Sequence, residues 1–452
     1  MTRTTIVSGL MAMMFALLAL AGGHWARGRD VVAAATSSSP TPADVAGDLL
    51  YGRVRTEGGA LYEGRLRFGG DEEAFWDHYF NGVKDDNRWA AYVSGERVPK
   101  MRDSIGLFGR EIVAWQRQID LSRPFMARFG DIARIDARGR DLRVTLKSGT
   151  VFDLDRFAAD DFADGLRVWD RTGRVVDLDE WRIRSVEFIA TARFDTTPDR
   201  LHGTVHTRNG DFTGFIQWDR KESVGSDTLD GRSAAGRVSL RFDTIRSISR
   251  RSIESSVITL LDGREIVLSN AREVDSGNRG IYVDDCRYGR VLVASDAVER
   301  VDFSPGSNSP VYREFLPGRP LTGTVITRSG RQLAGRLVYD LDESETIETL
   351  DAPSEGVDYI IPFRFIASIA RGHEHAAPHA TVVLHTGEEL QLESSGDLSE
   401  TNAGMLIFVE GRERPEYVPW PDVKRIDLNG GPPVSASGRP AMRRTAAGQS
   451  AP

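Results

Sequence analysis

The chain has 452 residues, of which 40% are hydrophobic and 27% charged, and its formal net charge is -8. That composition belongs to a globular chain and argues against a nucleic-acid partner, because gripping a phosphate backbone needs a basic footprint. The single cysteine, Cys286, excludes an intramolecular disulfide and any multi-cysteine metal site.

The first element is an apolar run from Ile6 to Leu20, preceded by Arg3 and closed by Ala19-Leu20-Ala21. A basic start, an apolar core and a small-x-small end predict a secretory signal peptide over 1–21. The run is too short for a confident transmembrane anchor, so no transmembrane span is expected in the mature chain. A secreted or periplasmic location follows from this reading. Residues 22–46, with Ser37-Ser38-Ser39-Pro40, read as a disordered linker, and 430–452 as a disordered tail.

A short pattern then recurs six times, beginning at Val54, Val144, Val205, Ile258, Val325 and Val382, with turn glycines at Gly59, Gly149, Gly210, Gly263, Gly330 and Gly387. Such periodicity is the signature of a repeat architecture. The copy at Leu321–Arg328 alternates and is β-branched. Ser329-Gly330 turns it, and Gln332–Tyr339 alternates again, which is the pattern of a β-hairpin. A second glycine, Gly335, stands inside that second strand, where it marks a sharp bend or a close backbone approach. We call these A modules; they close on apolar residues three apart, such as Ile132 and Ile135, or Ile366 and Ile369. Each is followed by a B module, which carries leucine in place of the bend glycine (Leu154, Leu268, Leu392) and closes at Ile183 and Val186, Val298 and Val301, or Val423 and Ile426. The expected layout is repeat 1 over 47–190, repeat 2 over 200–304 and repeat 3 over 320–429, each an A-B pair.

Repeat 1 carries an insertion at about 83–126. Ile105, Phe108, Ile112, Trp115 and Ile119 recur there at steps of three and four, after Asp103-Ser104, which predicts a helix. Gly106 and Gly109 oppose it by about 1 kcal/mol each. The segment and its approach are rich in aromatics, among them Trp76, Trp89 and Trp115. Aromatics on an insertion suit either a brace packed on the first module or a partner-binding arm.

The A modules resemble Sm-like proteins, and more broadly SH3-like small barrels. The matching residues are Val325, Thr327 and Gly330, then Gly335, Leu337, Tyr339 and Asp340, then the closing Ile366 and Ile369. The resemblance implies strongly bent five-stranded sheets. The expected fold is therefore all-β, with six tandem small SH3-like/Sm-like β-barrels in three A-B pairs and one helical insertion. It does not imply RNA binding here, since Asp219 is followed by Arg220-Lys221-Glu222 and Asp340 by Leu341-Asp342-Glu343, and the closing hairpins lack Arg-Gly.

Chemistry is sparsely marked. His373, His375 and His379, with Glu374 between the first two, form the densest cluster and make a candidate transition-metal site. Their spacing is not that of an HExxH helix, and a polar surface loop is the competing reading. Asp160, Asp161 and Asp164, and the run Asp340, Asp342 and Glu343, do not match a calcium loop. Trp169, Trp181, Trp218 and Trp420 suit sugar stacking if exposed and inter-module packing if buried. No nucleophile elbow, phosphate loop or dinucleotide fingerprint stands in the chain. The expected function is non-enzymatic and without cofactor: a binding or scaffold module whose partner is an envelope protein or a polysaccharide. The alternatives are carbohydrate binding through exposed tryptophans and a metal-dependent hydrolase centred on His373.

Overall fold

The computed structural model describes residues 49–69, 72–84, 86–93, 100–107, 110–118, 123–172, 174–190, 200–306, 310–372 and 379–429, with only the backbone described over 100–118. The expected signal peptide, linker and tail lie outside these residues. Residues 47–190 contribute β1 (Tyr51–Thr56), β2 (Leu61–Phe68), β3 (Tyr79–Val83), β4 (Lys100–Leu107), β5 (Arg110–Gln118), β6 (Pro124–Arg128), β7 (Ile132–Arg138), β8 (Asp141–Leu146), β9 (Val151–Asp155), β10 (Leu166–Asp170), β11 (Val175–Leu178) and β12 (Ile183–Phe188). Residues 200–304 contribute β13 (His202–Thr207), β14 (Gly210–Gln217), β15 (Thr228–Ser233), β16 (Gly236–Arg241), β17 (Ile245–Ser252), β18 (Ser255–Leu260), β19 (Glu265–Ser269), β20 (Ile281–Asp285), β21 (Gly289–Val293) and β22 (Val298–Phe303). Residues 320–429 contribute β23 (Thr322–Thr327), β24 (Gln332–Val338), β25 (Thr349–Ser354), β26 (Val357–Pro362), β27 (Ile366–Arg371), β28 (His379–Leu384), β29 (Glu389–Glu393), β30 (Met405–Phe408), β31 (Glu416–Val418) and β32 (Val423–Leu428).

The first sheet runs β11-β10-β2-β1-β12-β7-β8-β9, and the same eight-strand order recurs as β21-β20-β14-β13-β22-β17-β18-β19 and as β31-β30-β24-β23-β32-β27-β28-β29. Every pairing is antiparallel, which fits the hairpin spacing of the sequence. The A and B modules do not fold side by side. The A hairpin β1–β2 is flanked by β12 and β10, both from the B module. Likewise the closing A strand β7 pairs with the closing B strand β12. The expectation of separate closed barrels is thereby corrected: in each A-B pair eight strands of the two modules interleave in one sheet, and no closed barrel forms among the described residues. Alternation decides which face of a strand is buried, but not which strand lies beside it.

Glycine explains the local geometry. In each A hairpin two glycines stand directly opposite: Gly52 and Gly64, Gly203 and Gly214, Gly323 and Gly335. A Cβ at Gly64 would lie 1.9 Å from the Trp169 carbonyl oxygen, at Gly214 2.0 Å from that of Asp284, and at Gly335 2.2 Å from that of Phe408. Close approach of a neighbouring backbone, and not a left-handed φ, is what demands glycine there.

A 3-10 turn precedes the closing strand in five of the six modules, at Phe129–Asp131, Glu180–Arg182, Phe242–Thr244, Phe363–Phe365 and Trp420–Asp422, and in all but the second of these its first residue is a buried aromatic. One apolar core, containing Phe129, Phe68, Val54 and Phe188, serves the first sheet. A second core is shared by the other two. They can share it because β21 pairs with β26, joining β25–β26 of residues 320–429 to the sheet of residues 200–304 as a twelve-stranded whole.

The helix expected in the insertion is absent. β4 and β5 pair there from Lys100 opposite Gln118 to Leu107 opposite Arg110. Ile105 lies in β4, and Ile112 and Trp115 in β5. The β-branched Ile105, Ile112 and Val113 lose helix propensity, and the two glycines weaken a helix further while suiting a hairpin. The insertion lies between β3 and β6, which pair with each other at the position held by hairpins β15–β16 and β25–β26 in the other sheets.

Candidate functional site

Trp76 is buried, and the loop carrying it packs on the second sheet. The Arg200 guanidinium lies 3.2 Å from the Trp76 ring centre, and Arg290 Nη2 donates to the Trp76 carbonyl at 2.9 Å. Both arginines hold Asp284, at 2.9 and 2.7 Å. Gln217 Nε2 donates to Asp77 Oδ1 at 2.5 Å, and His78 Nε2 meets the Arg220 carbonyl at 2.7 Å. Burial lowers Arg200 to about 10 and pushes the Asp77 carboxyl up. Charges this deeply buried are tolerated only when paired, so the cluster reads as a joint between sheets.

Trp89 belongs to a second joint. It packs against Tyr92 and Phe408, at ring distances of 6.4 and 6.0 Å, beside Val338, Leu341, Leu406 and Tyr417 of the third sheet. Around this patch the stem of the insertion meets the acidic loop after β24. Lys84 Nζ pairs with Asp342 at 2.5 Å and with Glu348 at 3.9 Å, and Asn87 Nδ2 donates to the Leu341 carbonyl at 3.0 Å. Arg123 Nη2 pairs with Asp340 Oδ1 at 3.0 Å. Burial drives Asp340 and Glu348 up to about 7 despite these cations.

The Asp of the Tyr-Asp or Trp-Asp motif has a role the sequence did not disclose. Asp219 and Arg220, and equally Asp340 and Leu341, hold φ between +50° and +60° without being glycine, a strained conformation that needs support. The Asp219 carboxylate accepts from the backbone of Arg279 at 2.7 Å and is flanked by the side chains of Arg272 and Arg279. Asp340 accepts from the backbone of Ala403, the position equivalent to Arg279, and takes its guanidinium from Arg123 of the insertion. The insertion therefore supplies a cation that the third sheet lacks at that position.

The remaining tryptophans divide. Trp218 and Trp420 are buried, and Trp169 is half-buried beside Arg65 and Arg167. Trp181 is 55% exposed and meets Phe157, itself 42% exposed, at a ring distance of 5.4 Å. The buried Arg156 lies 5.0 Å beneath Trp181, fixed by the Gly139 and Glu180 carbonyls, while Arg140 lies 5.3 Å from Phe157. Asp155 caps the short turn that presents Phe157, accepting from its N–H at 2.8 Å. The pair presents exposed aromatic surface edged by guanidinium groups. Phe157 was not singled out in the sequence; an aromatic directly after a strand-ending Asp-Arg pair was the available signal.

The other candidates are less informative. The side chain of Trp115 lies outside what is described, as do His373 and His375. His379 opens β28, half-buried. Among the described residues no group of three or more His, Cys, Asp or Glu side chains is placed to hold a metal. Cys286 is exposed in the turn before β21. A cleft of about 200 Å³ lies between Thr327–Arg331 and Tyr417–Asp422, below the roughly 300–1,000 Å³ usual for small-molecule sites. No helix of the described residues is long and apolar enough to cross a membrane.

No protein-family model and no curated protein matches the chain. Among solved structures, a streptogramin B lyase is returned at 9% identity, over 66% of this chain and 94% of that one, with a TM-score of 0.11. A score that low relates neither fold nor function.

Proposed function

We propose that this is an exported, non-enzymatic β-repeat protein that serves as a binding or scaffold module in the cell envelope or outside the cell. The observation that carries the reading is the exposed Phe157–Trp181 pair, held on a frame in which buried ion pairs, Lys84 with Asp342 and Arg123 with Asp340, tie the stem of the insertion to the third sheet's acidic loop. Aromatic side chains have few torsions to freeze on contact, which is why they anchor partners. The same pair favours a polysaccharide as the second reading, since Trp181 remains available for stacking while Trp218 and Trp420 do not. We further propose that each half-sheet derives from an SH3-like module that has exchanged strands with its sister. The order β12-β1-β2-β10-β11, a fifth strand followed by strands one to four, supports this. The test compares the immobilised protein with a Phe157→Ala, Trp181→Ala variant against envelope extract and envelope polysaccharide. The variant is expected to lose at least one retained component; identical retention by both rejects this face.

A further inference from the structure

We propose that β11 of one copy of this chain pairs with β16 of a second copy. Within the chain, β21 pairs with β26 in the register Arg290–Ile360, Val291–Tyr359, Leu292–Asp358 and Val293–Val357. The strand in the place of β21 in the first sheet is β11, as the pairing of each with its hairpin partner shows: Leu166–Leu178 matches Ile281–Val293. The strand in the place of β26 is β16, since Thr228–Arg241 matches Thr349–Pro362. Yet β11 and β16 both stand at sheet ends, with no strand among the described residues on their outer edges. An unpaired edge is a template for another strand.

Carrying the internal register over places Val175 opposite Ser239, Val176 opposite Val238, Asp177 opposite Arg237 and Leu178 opposite Gly236. The two strands are thus complementary where they would meet, with valine on valine and carboxylate on guanidinium. Val175 is 48% exposed, and Asp177, which accepts from Arg167 at 2.6 and 3.3 Å, keeps its side chain 45% exposed and so accessible to a second cation. The internal joint is buttressed by Phe212 against Tyr359, at 6.1 Å; Tyr62 and Val238 occupy those positions here. Like-charged edges normally keep strands apart, whereas these two edges attract each other. Each copy offers one β11 and one β16, so the pairing closes as a reciprocal dimer or a ring, or continues as an open chain.

Sedimentation velocity over a wide concentration range tests this. The parent protein is expected to associate in a concentration-dependent manner, as a dimer or a longer series. Asp177→Arg and Arg237→Asp, each alone, are expected to weaken association by about tenfold. An equimolar mixture of the two is expected to regain it, because each reversed edge then meets its opposite. A parent that stays monomeric, or single variants that associate like the parent, would overturn the proposal, as would a mixture no stronger than its components.

Discussion

At the scale of single residues, charge burial is the dominant theme. Burial, aided by nearby Glu273 and Asp219, pushes Glu222 up to about 7. An unfolded glutamate releases its proton near pH 4.3. Between those values the folded state holds a proton that the unfolded state has lost, so stability falls as pH rises from about 4.5 to 7. Glu222→Gln removes that dependence. It is expected to gain on the order of 1 kcal/mol over the parent at pH 8 and much less at pH 5, measured by urea unfolding. An equal gap at both pH values would show that Glu222 does not titrate in this window. The tryptophans give a second contrast. Trp420→Ala, at a fully buried position, is expected to cost about 3–5 kcal/mol. Trp181→Ala is expected to stay within about 0.5 kcal/mol. Equal losses in chemical denaturation would contradict their placement. Little of this was legible beforehand. A tryptophan on an alternating strand reads the same whether its face meets the core or solvent, and Trp76 gives no sign that its partner is Arg200.

The strand elements and the 3-10 closings follow from alternation and from apolar residues three apart, and both were legible. The bend glycine was legible only by half. Gly335 stood out, but its opposite number Gly323 did not, because cross-strand pairing is invisible until register is known. Gly214→Val is expected to destabilise by more than about 2 kcal/mol, since its Cβ would meet the Asp284 carbonyl and the backbone there cannot yield as a side-chain tip would. A melting temperature within a degree of the parent's would reject close approach as the reason for glycine. The insertion misled for a physical reason. The steps of three and four outweighed the β-branched Ile105, Ile112 and Val113 in the reading, and there Gly106 and Gly109 were the better guides.

At the scale of the whole molecule, the insertion is tied to the third sheet by Lys84 and Arg123. Lys84→Met leaves Asp342 and Glu348 without their shared cation, and a loss of about 3–5 kcal/mol is expected. Hydrogen exchange should then rise first across 84–93 and in the loop after β24, while β13–β14 stay protected; unchanged exchange in the stem would mean the pair does not hold this joint. None of these long-range partnerships was legible, because residues that read as polar loops find their charges in another sheet. The interleaving of modules also orders events in time. A ribosome delivers β1 and β7 well before β12, the strand that lies between them. Until Ile183–Phe188 emerges, both bear an open edge, and the same wait recurs for β22 and β32. A product cut short before its last strand is therefore not a smaller version of the fold but an unfinished sheet exposed to aggregation, so premature termination late in the gene should be as damaging as termination early in it.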